Sequence, residues 1–368
     1  MVTPYRVPLL DHLALHFDVT VFFSGRESNR AEWEGVDQQL KLARVKRSWG
    51  LTLKYRKRVK GTPIGVGYFH LTPGYVLDLL RWRPDAVIST EMGFRSLIAL
   101  LYGTVCRKPV WVWWGGTAYT EANVGVARRW LRRLIARWSP GWISYGRTST
   151  GYLLSLGIER RRILQIQNCV DERTFAARPA RAFSLIPRPV VLHAGQMIPR
   201  KGIAQLLAAA KALQDEGATF SLLLVGNGSE RPALEALAAG LGLANVHFSP
   251  GVPASRMPAV YQSADLYVFP TLRDAWGLVV NEALLSGVPV LGSRYAGCAP
   301  ELLPAESTFD PLDPADFKAK LRLGVEGRLP APDVSRIWSC EEVGHLMVQE
   351  IQRALRPRPR TDLVTADQ

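Results

Sequence analysis

The sequence predicts an α/β protein of two doubly wound domains facing a central cleft. Three observations carry that prediction. Short apolar runs of strand type alternate with longer amphipathic runs of helix type, and this alternation occurs twice along the chain. A stretch rich in proline and arginine, residues 176–189, separates the two series. Glycine turns directly follow several strands, at Gly115-Gly116, Gly195 and Gly226-Asn227-Gly228, at the strand ends where a parallel sheet receives ligands. A length of 368 residues exceeds one average core, in keeping with two domains.

The N-terminal domain is expected over residues 1–175. Residues 4–17 read as a helix with Val7, Leu10, Leu13, Ala14 and Phe17 on one face, and 18–23 (DVTVFF) as a strand. An open sheet ordinarily begins with a strand, so the expectation is a first strand lost through a late start codon, with a sheet that lacks this strand as the alternative. Residues 54–60 (KYRKRVK) carry five cations in seven positions and read as a solvated loop, with a headgroup- or acceptor-facing loop as the sharper alternative. A helix over 71–83 leads into the strand PDAVIST at 84–90. A helix over 93–104 and a strand over 109–114 follow, the latter ending in Gly115-Gly116-Thr117. Residues 126–138 (VARRWLRRLIARW) form an amphipathic helix. Leu131, Leu134, Ile135 and Trp138 make its apolar stripe, and Arg128, Arg129, Arg132, Arg133 and Arg137 cover much of the rest. It fits a helix packed on the sheet as well as one lying on an anionic bilayer with Trp130 at the interface. Strand 142–145, helix 148–156 and strand 163–167 complete the domain.

After the linker, residues 190–335 repeat the pattern. Strands are expected at 190–194, 220–225, 246–248, 265–270 and 288–291, and helices at 203–216, 230–240, 257–263 and from Gly277 to Gly287. Ser339 caps a last helix, so 336–356 forms a C-terminal helical segment that returns to the N-terminal domain, and 357–368 is a frayed tail.

The charge is uneven. Residues 1–180 hold 28 Lys and Arg against 13 Asp and Glu, a net +15, whereas the remainder sums to −1. An anionic partner for the first half follows: a membrane surface, an acidic acceptor or nucleic acid. No nucleic-acid motif accompanies the charge, so nucleic acid is not expected. The four cysteines (Cys106, Cys169, Cys298, Cys340) lack any paired spacing, and the start MVTPYRVPLL lacks a signal segment. A cytoplasmic setting is the expectation, with peripheral attachment to the inner face of the membrane through Arg128–Arg137. No apolar run approaches the ~20 residues of a span, since Glu91 and Arg95 interrupt the longest.

Chemistry concentrates between Ala264 and Leu303 (ADLYVFPTLRDAWGLVVNEALLSGVPVLGSRYAGCAPELL). Strand, acidic loop, glycine, helix and strand follow one another, and Asp274 and Glu282 lie eight positions apart across the loop-to-helix junction. Glu282 is the sole charged residue between Asp274 and Arg294, and an ionised carboxylate on a mostly apolar helix needs partners. Sugar and ribose hydroxyls are suitable ones. In GQMIPRKG at 195–202, Arg200 and Lys201 stand at a helix start, where cations and free N–H groups suit a diphosphate. His, Asp and Glu nowhere cluster at metal-ligand spacing, so neither a metal nor another cofactor is expected.

Together GQMIPRKG, LLLVGNGSE, DLYVFP, DAWGLVVNEALLSGVPVLGS, AGCAPELL and, upstream, IQNCVDERTF resemble the retaining, nucleotide-sugar-dependent glycosyltransferases of family 4, the group 1 type. That resemblance implies the two-domain GT-B fold and transfer of a sugar from a nucleotide diphosphate sugar to a saccharide or lipid-linked acceptor. It puts Asp274 and Glu282 on the two acids of the family's E-x7-E motif, contacting donor sugar and ribose respectively. Trp276, Gly277, Leu278 and Val279 fall on the loop and helix start that receive sugar and diphosphate, and Lys201 on the phosphate-binding lysine. Gly195, Gln196, Gly226, Asn227 and Gly228 complete the expected donor site. Gln196 stands where the family commonly has arginine, with Arg200 as a replacement. The first-domain loop WGGTAYTE has no histidine, which leaves Gly115, Gly116, Thr117 and Glu121 as acceptor-side candidates. The resemblance also implies closure over the donor by a hinge at the linker. Two other readings compete: a sugar-nucleotide epimerase or phosphorylase on the same scaffold, and a non-catalytic basic protein binding membrane or nucleic acid.

Overall fold

The computed structural model describes residues 3–23, 35–59 and 62–356. The N-terminal part runs α1 (Val7–Ala14), β1 (Thr20–Phe23), β2 (Arg44–Arg47), β3 (Leu51–Val59), β4 (Thr62–Leu71), α2 (Gly74–Trp82), β5 (Val87–Thr90) and α3 (Phe94–Cys106). It continues with β6 (Val110–Trp114), α4 (Ala118–Glu121), α5 (Val126–Trp138), β7 (Gly141–Tyr145), α6 (Gly146–Ser155), β8 (Ile163–Ile166) and α7 (Glu172–Ala176). The second part is β9 (Val190–Ala194), α8 (Ile203–Asp215), β10 (Ser221–Val225), α9 (Arg231–Gly240), β11 (Val246–Ser249), α10 (Met257–Tyr261), β12 (Leu266–Phe269), α11 (Leu278–Leu285) and β13 (Val290–Ser293). It ends with α12 (Ala299–Leu302), β14 (Thr308–Phe309), α13 (Pro314–Val325) and α14 (Cys340–Leu355).

In the first domain β5, β6, β7 and β8 form a parallel sheet in sequence order. Strands β6 and β7 are buried throughout, which is why both read as unbroken apolar runs. Helices α3, α5 and α6 cover one face through Leu100, Ile135 and Leu153, and α1 and α14 cover the other through Leu9, Leu13, Met347 and Ile351. The buried face of α1 therefore centres on Leu9 and Leu13, one position round from the expected stripe.

Two features differ from expectation. Residues 54–59 of the basic run lie in a strand, because β3 pairs antiparallel with β4 instead of forming a loop; Lys60 lies outside the described residues, as does the tail 357–368. β1 pairs in parallel with β2 as a separate two-stranded sheet, and no ladder joins it to β5 among the described residues.

The second domain has strand order β11-β10-β9-β12-β13-β14, all parallel. Strand order reverses between β9 and β12, so their carboxyl ends diverge and leave a crevice there. Apolar residues alternate between two cores. Val191, Leu224, Leu266 and Leu291 face α8 and α13, while Leu192, Val225, Phe269 and Val290 face a core that continues into the first domain. The chain crosses between domains twice, through 176–189 and again before α14, which packs on α1 and β8. The second crossing is anchored to the end of β8: Gln167 Nε2 donates to the Arg336 carbonyl at 2.9 Å, and Trp338 N–H donates to Gln167 Oε1 at 3.0 Å.

Candidate functional site

Three loops leave the crevice rim of the second domain, after β9, β10 and β12, and they are knitted by backbone hydrogen bonds. Met197 N–H donates to the Asn227 carbonyl at 2.9 Å, and Leu272 N–H to the Arg200 carbonyl at 2.8 Å. Gly226 has φ +153°, and a Cβ there would run into the carbonyl of Gly195, so the β9 and β10 turns can approach only with glycine at this position. This brings Gly195, Gln196, Arg200, Lys201, Gly226, Asn227 and Gly228 to one rim.

Asp274 faces that rim. Its Oδ2 accepts from Lys201 Nζ at 2.8 Å and Arg200 Nη1 at 3.0 Å, and its Oδ1 accepts from the Trp276 N–H at 3.3 Å. The loop is held in place because Asp274 N–H donates to the Tyr295 carbonyl and Gly297 N–H to the Asp274 carbonyl, each at 3.1 Å. Burial pushes the Asp274 carboxyl up, but Lys201 and Arg200 more than offset it and hold it below its ordinary value. Gly277 adopts φ +101° against the Phe269 ring and starts α11 with no side chain capping it. The N–H groups of the first turn, at Leu278 and Val279, are thereby free to meet an anion.

Glu282 lies one turn further along α11. Its Oε2 accepts from Tyr261 Oη at 2.8 Å. Burial pushes its carboxyl up to about 7, against the smaller opposing effect of the Tyr261 hydrogen bond. Tyr261, from α10, is fully buried and was not singled out in the sequence, where it sits in an apolar helical stripe. His193 was also missed. It is buried in β9, its Nδ1 is 3.0 Å from the Val268 carbonyl, and burial lowers it to about 4, so its ring is neutral. A histidine inside the apolar run VVLHA was the available signal.

Some expected residues are engaged elsewhere. The Trp276 indole is 1% exposed and donates to Asn281 Oδ1 at 2.9 Å, and a Cβ on Gly146 of the first domain would meet it at 2.6 Å. It wedges the domains together, and its backbone N–H is what reaches the site. Glu121 forms a buried ion pair with Arg132 of α5, whose guanidinium lies 5.0 Å from the Trp114 ring centroid. This withdraws Glu121 from the acceptor side and Arg132 from the basic surface, because a buried unpaired charge is costly. Thr117 caps α4 in a reciprocal capping box with Thr120. Gly115 approaches the Asp274 loop from the first domain: a Cβ there would lie 3.9 Å from Ala275 Cβ. Next to it, Arg147 N–H donates to Glu301 Oε1, and Thr148 Oγ1 donates to the Gly297 carbonyl at 2.9 Å, so α6 and α12 join the domains beside the rim.

The family model described as glycosyl transferases group 1 matches residues 180–332, the part that contains the whole rim. A 2-deoxystreptamine glucosyltransferase of Streptomyces kanamyceticus is 30% identical over 223 residues, covering 54% of this chain and 55% of that protein. A GDP-mannose-dependent alpha-(1-6)-phosphatidylinositol monomannoside mannosyltransferase of Mycolicibacterium smegmatis is 34% identical over 164 residues, covering 41% and 43%. The chain thus spans about half the length of these curated relatives. Among solved structures, HepE of Anabaena in complex with UDP superposes with a TM-score of 0.66 at 16% identity, covering 95% of this chain and 93% of that one. A glycosyltransferase of Rickettsia africae gives 0.68 at 13% identity, covering 95% of both chains. At these identities the likeness is one of fold.

Proposed function

We propose that the protein transfers a sugar from a nucleoside diphosphate donor to an acceptor hydroxyl with retained configuration; this rests on the match of residues 180–332 to the model of the group 1 glycosyl transferases and on the two-domain GT-B fold. The observation that carries this reading is the convergence of Asp274, Lys201, Arg200 and the start of α11 on one rim, with the glycines after β6 opposite.

In this reading the diphosphate lies across Lys201, Arg200 and the N–H groups of Gly277, Leu278 and Val279. The ribose hydroxyls donate to Glu282, and the donor sugar rests against Asp274. As the bond from the anomeric carbon to the phosphate oxygen breaks, positive charge grows on the sugar and negative charge on the departing phosphate. The two cations and the α11 N-terminus stabilise that negative charge in place. The acceptor oxygen attacks on the face the phosphate is leaving, and its proton passes to the phosphate oxygen. No side chain forms a covalent bond, and no metal is required where two cations already face the leaving group.

The basic excess of the first domain supports a peripheral, cytoplasmic site of action on an anionic membrane. Arg128, Arg129, Arg133 and Arg137 are exposed on α5, alongside Trp130 at 67% and Leu134 at 52% exposure. The acceptor class in this reading is a saccharide or lipid-linked glycan.

A thermal-shift screen against UDP-, GDP- and ADP-sugars tests the donor assignment, since a ligand bound only to the folded state raises the midpoint. One nucleotide class should raise it by several degrees in wild type and not at all in Glu282→Ala. An unchanged response in the variant would remove the ribose assignment.

A further inference from the structure

In the first domain Arg6 is a half-buried cation with no carboxylate partner among the described residues. It ends the one-turn segment Pro4–Arg6 that leads into α1. Its Nη2 donates to Tyr145 Oη at 3.2 Å, and its Cζ lies 4.5 Å from the centroid of the Trp113 ring. Glu91, the acid whose charge it senses, pairs with Arg95 at 3.5 Å instead. A ring face and a neutral hydroxyl offset only part of what a guanidinium loses on leaving water.

The polar groups gathered here are donors. Arg6 Nε and Trp113 Nε1 are buried without an acceptor. Burial pushes the Tyr145 hydroxyl up to about 12, so it keeps its proton. Arg6 donates to the Tyr145 oxygen, and the hydroxyl proton has no acceptor of its own among the described residues. Buried donors without acceptors are rare in folded proteins and mark places where another group binds or strain is stored. Three of them about one cation suit a group that only accepts hydrogen bonds and carries negative charge. Ionised phosphate and carboxylate do both, whereas a sugar hydroxyl brings no charge. Arg6 is partly exposed, so a ligand reaches it without unfolding the domain.

Trp113 and Tyr145 lie at the carboxyl ends of β6 and β7, on the edge of the first sheet where the domains meet. Tyr145 presents its hydroxyl to Arg6. Its ring lies 2.7 Å from the position of a Cβ on Gly115, and its centroid is 6.5 Å from that of Trp276 in the Asp274 loop. One tyrosine therefore separates Arg6 from the loop that carries Asp274.

We propose that Arg6, with the Tyr145 hydroxyl, is an oxyanion-binding site on the acceptor side, and that the acceptor carries a phosphate or carboxylate that docks there. The words acceptor side rest on the donor reading above; the oxyanion binding does not.

The test titrates the full chain by calorimetry with glucose 6-phosphate, glucuronate and the neutral methyl α-glucopyranoside. UDP or GDP is present at saturation, so that Lys201 and Arg200 are occupied. At least one anionic probe should bind wild type about tenfold or more tightly than the neutral glycoside. That binding should weaken about tenfold or more in Arg6→Gln, and by less in Arg6→Lys, which keeps the charge. A preference for glucose 6-phosphate or for glucuronate supports the proposal either way and names the group. An anionic probe that binds Arg6→Gln as tightly as wild type, or no binding of either anion to wild type, overturns it. Binding of UDP or GDP should be unchanged in both variants, which shows that they are folded. Failure of both nucleotides to bind wild type would overturn the donor reading and leave the Arg6→Gln comparison to decide the oxyanion site by itself.

Discussion

Asp274 itself holds the two cations of the proposed diphosphate site. One of its oxygens takes both cations and the other takes a loop N–H, the same donors a diphosphate requires. On the donor reading proposed above, a nucleotide diphosphate competes with this carboxylate for the same cations. Asp274→Asn keeps the shape and removes the charge, so calorimetry should find UDP or GDP bound about tenfold more tightly. Turnover should fall in the same variant, since the sugar loses its partner; affinity equal to or below wild type would rule out the competition. Glu282 carries a pH dependence of definite sign. With its carboxyl at about 7 in the free chain and ribose hydroxyls favouring the ionised form, binding expels a proton. Nucleotide affinity should strengthen about tenfold or more from about pH 5.5 to about pH 8, and Glu282→Gln should flatten that slope. For the free chain the sign is opposite. The folded carboxyl holds its proton more tightly than the ordinary value of 4.5 implies, so its contribution to stability declines as pH rises from there to about 7.

Among the elements, α5 carries arginines in two environments that one arginine-rich pattern conceals. Arg132 faces inward to Glu121, while Arg128, Arg129, Arg133 and Arg137 face outward. Wild type should co-sediment with phosphatidylglycerol vesicles and not with neutral ones, and Arg128→Glu with Arg133→Glu should abolish this. Equal sedimentation with both lipids would refute the membrane role. The periodicity of residues 126–138 sufficed to find the helix, yet it could not distinguish the inward arginine, because the partner is set by how α4 docks. The strands β6, β7, β9, β10 and β12 were legible because both their faces are buried and they read as apolar runs. The β3–β4 hairpin was not, since cations dominate β3 and pairing at such an edge depends on the neighbouring strand. In the site, Glu282 stood out as a lone charge on an apolar helix, whereas Asp274 and Lys201 were found through the motifs that resemble the family's. Tyr261 did not stand out, because a tyrosine in an apolar stripe looks the same in sequence whether its hydroxyl is used or not.

At the scale of the molecule, the two-domain plan was readable from repeated alternation and the linker, while the way the domains are joined was not. One core runs through both, from Leu9 and Ile143 to Val225 and Val280. The second crossing is bonded to the segment that leads from β8 toward the first, through Gln167, and Cys340 Sγ donates to the Val170 carbonyl at 3.2 Å at the start of α14. A body attached at one point can swivel about any axis; one attached at two adjoining points keeps mainly the rotation about the line through them. Relative movement of the domains is thereby restricted to that one rotation, with the rim that carries Asp274 facing Gly115 across it. The same constraint bears on modularity. A chimera that takes its second domain from another protein must take α14 and residues 167–176 from one parent, or the two attachment points will no longer match.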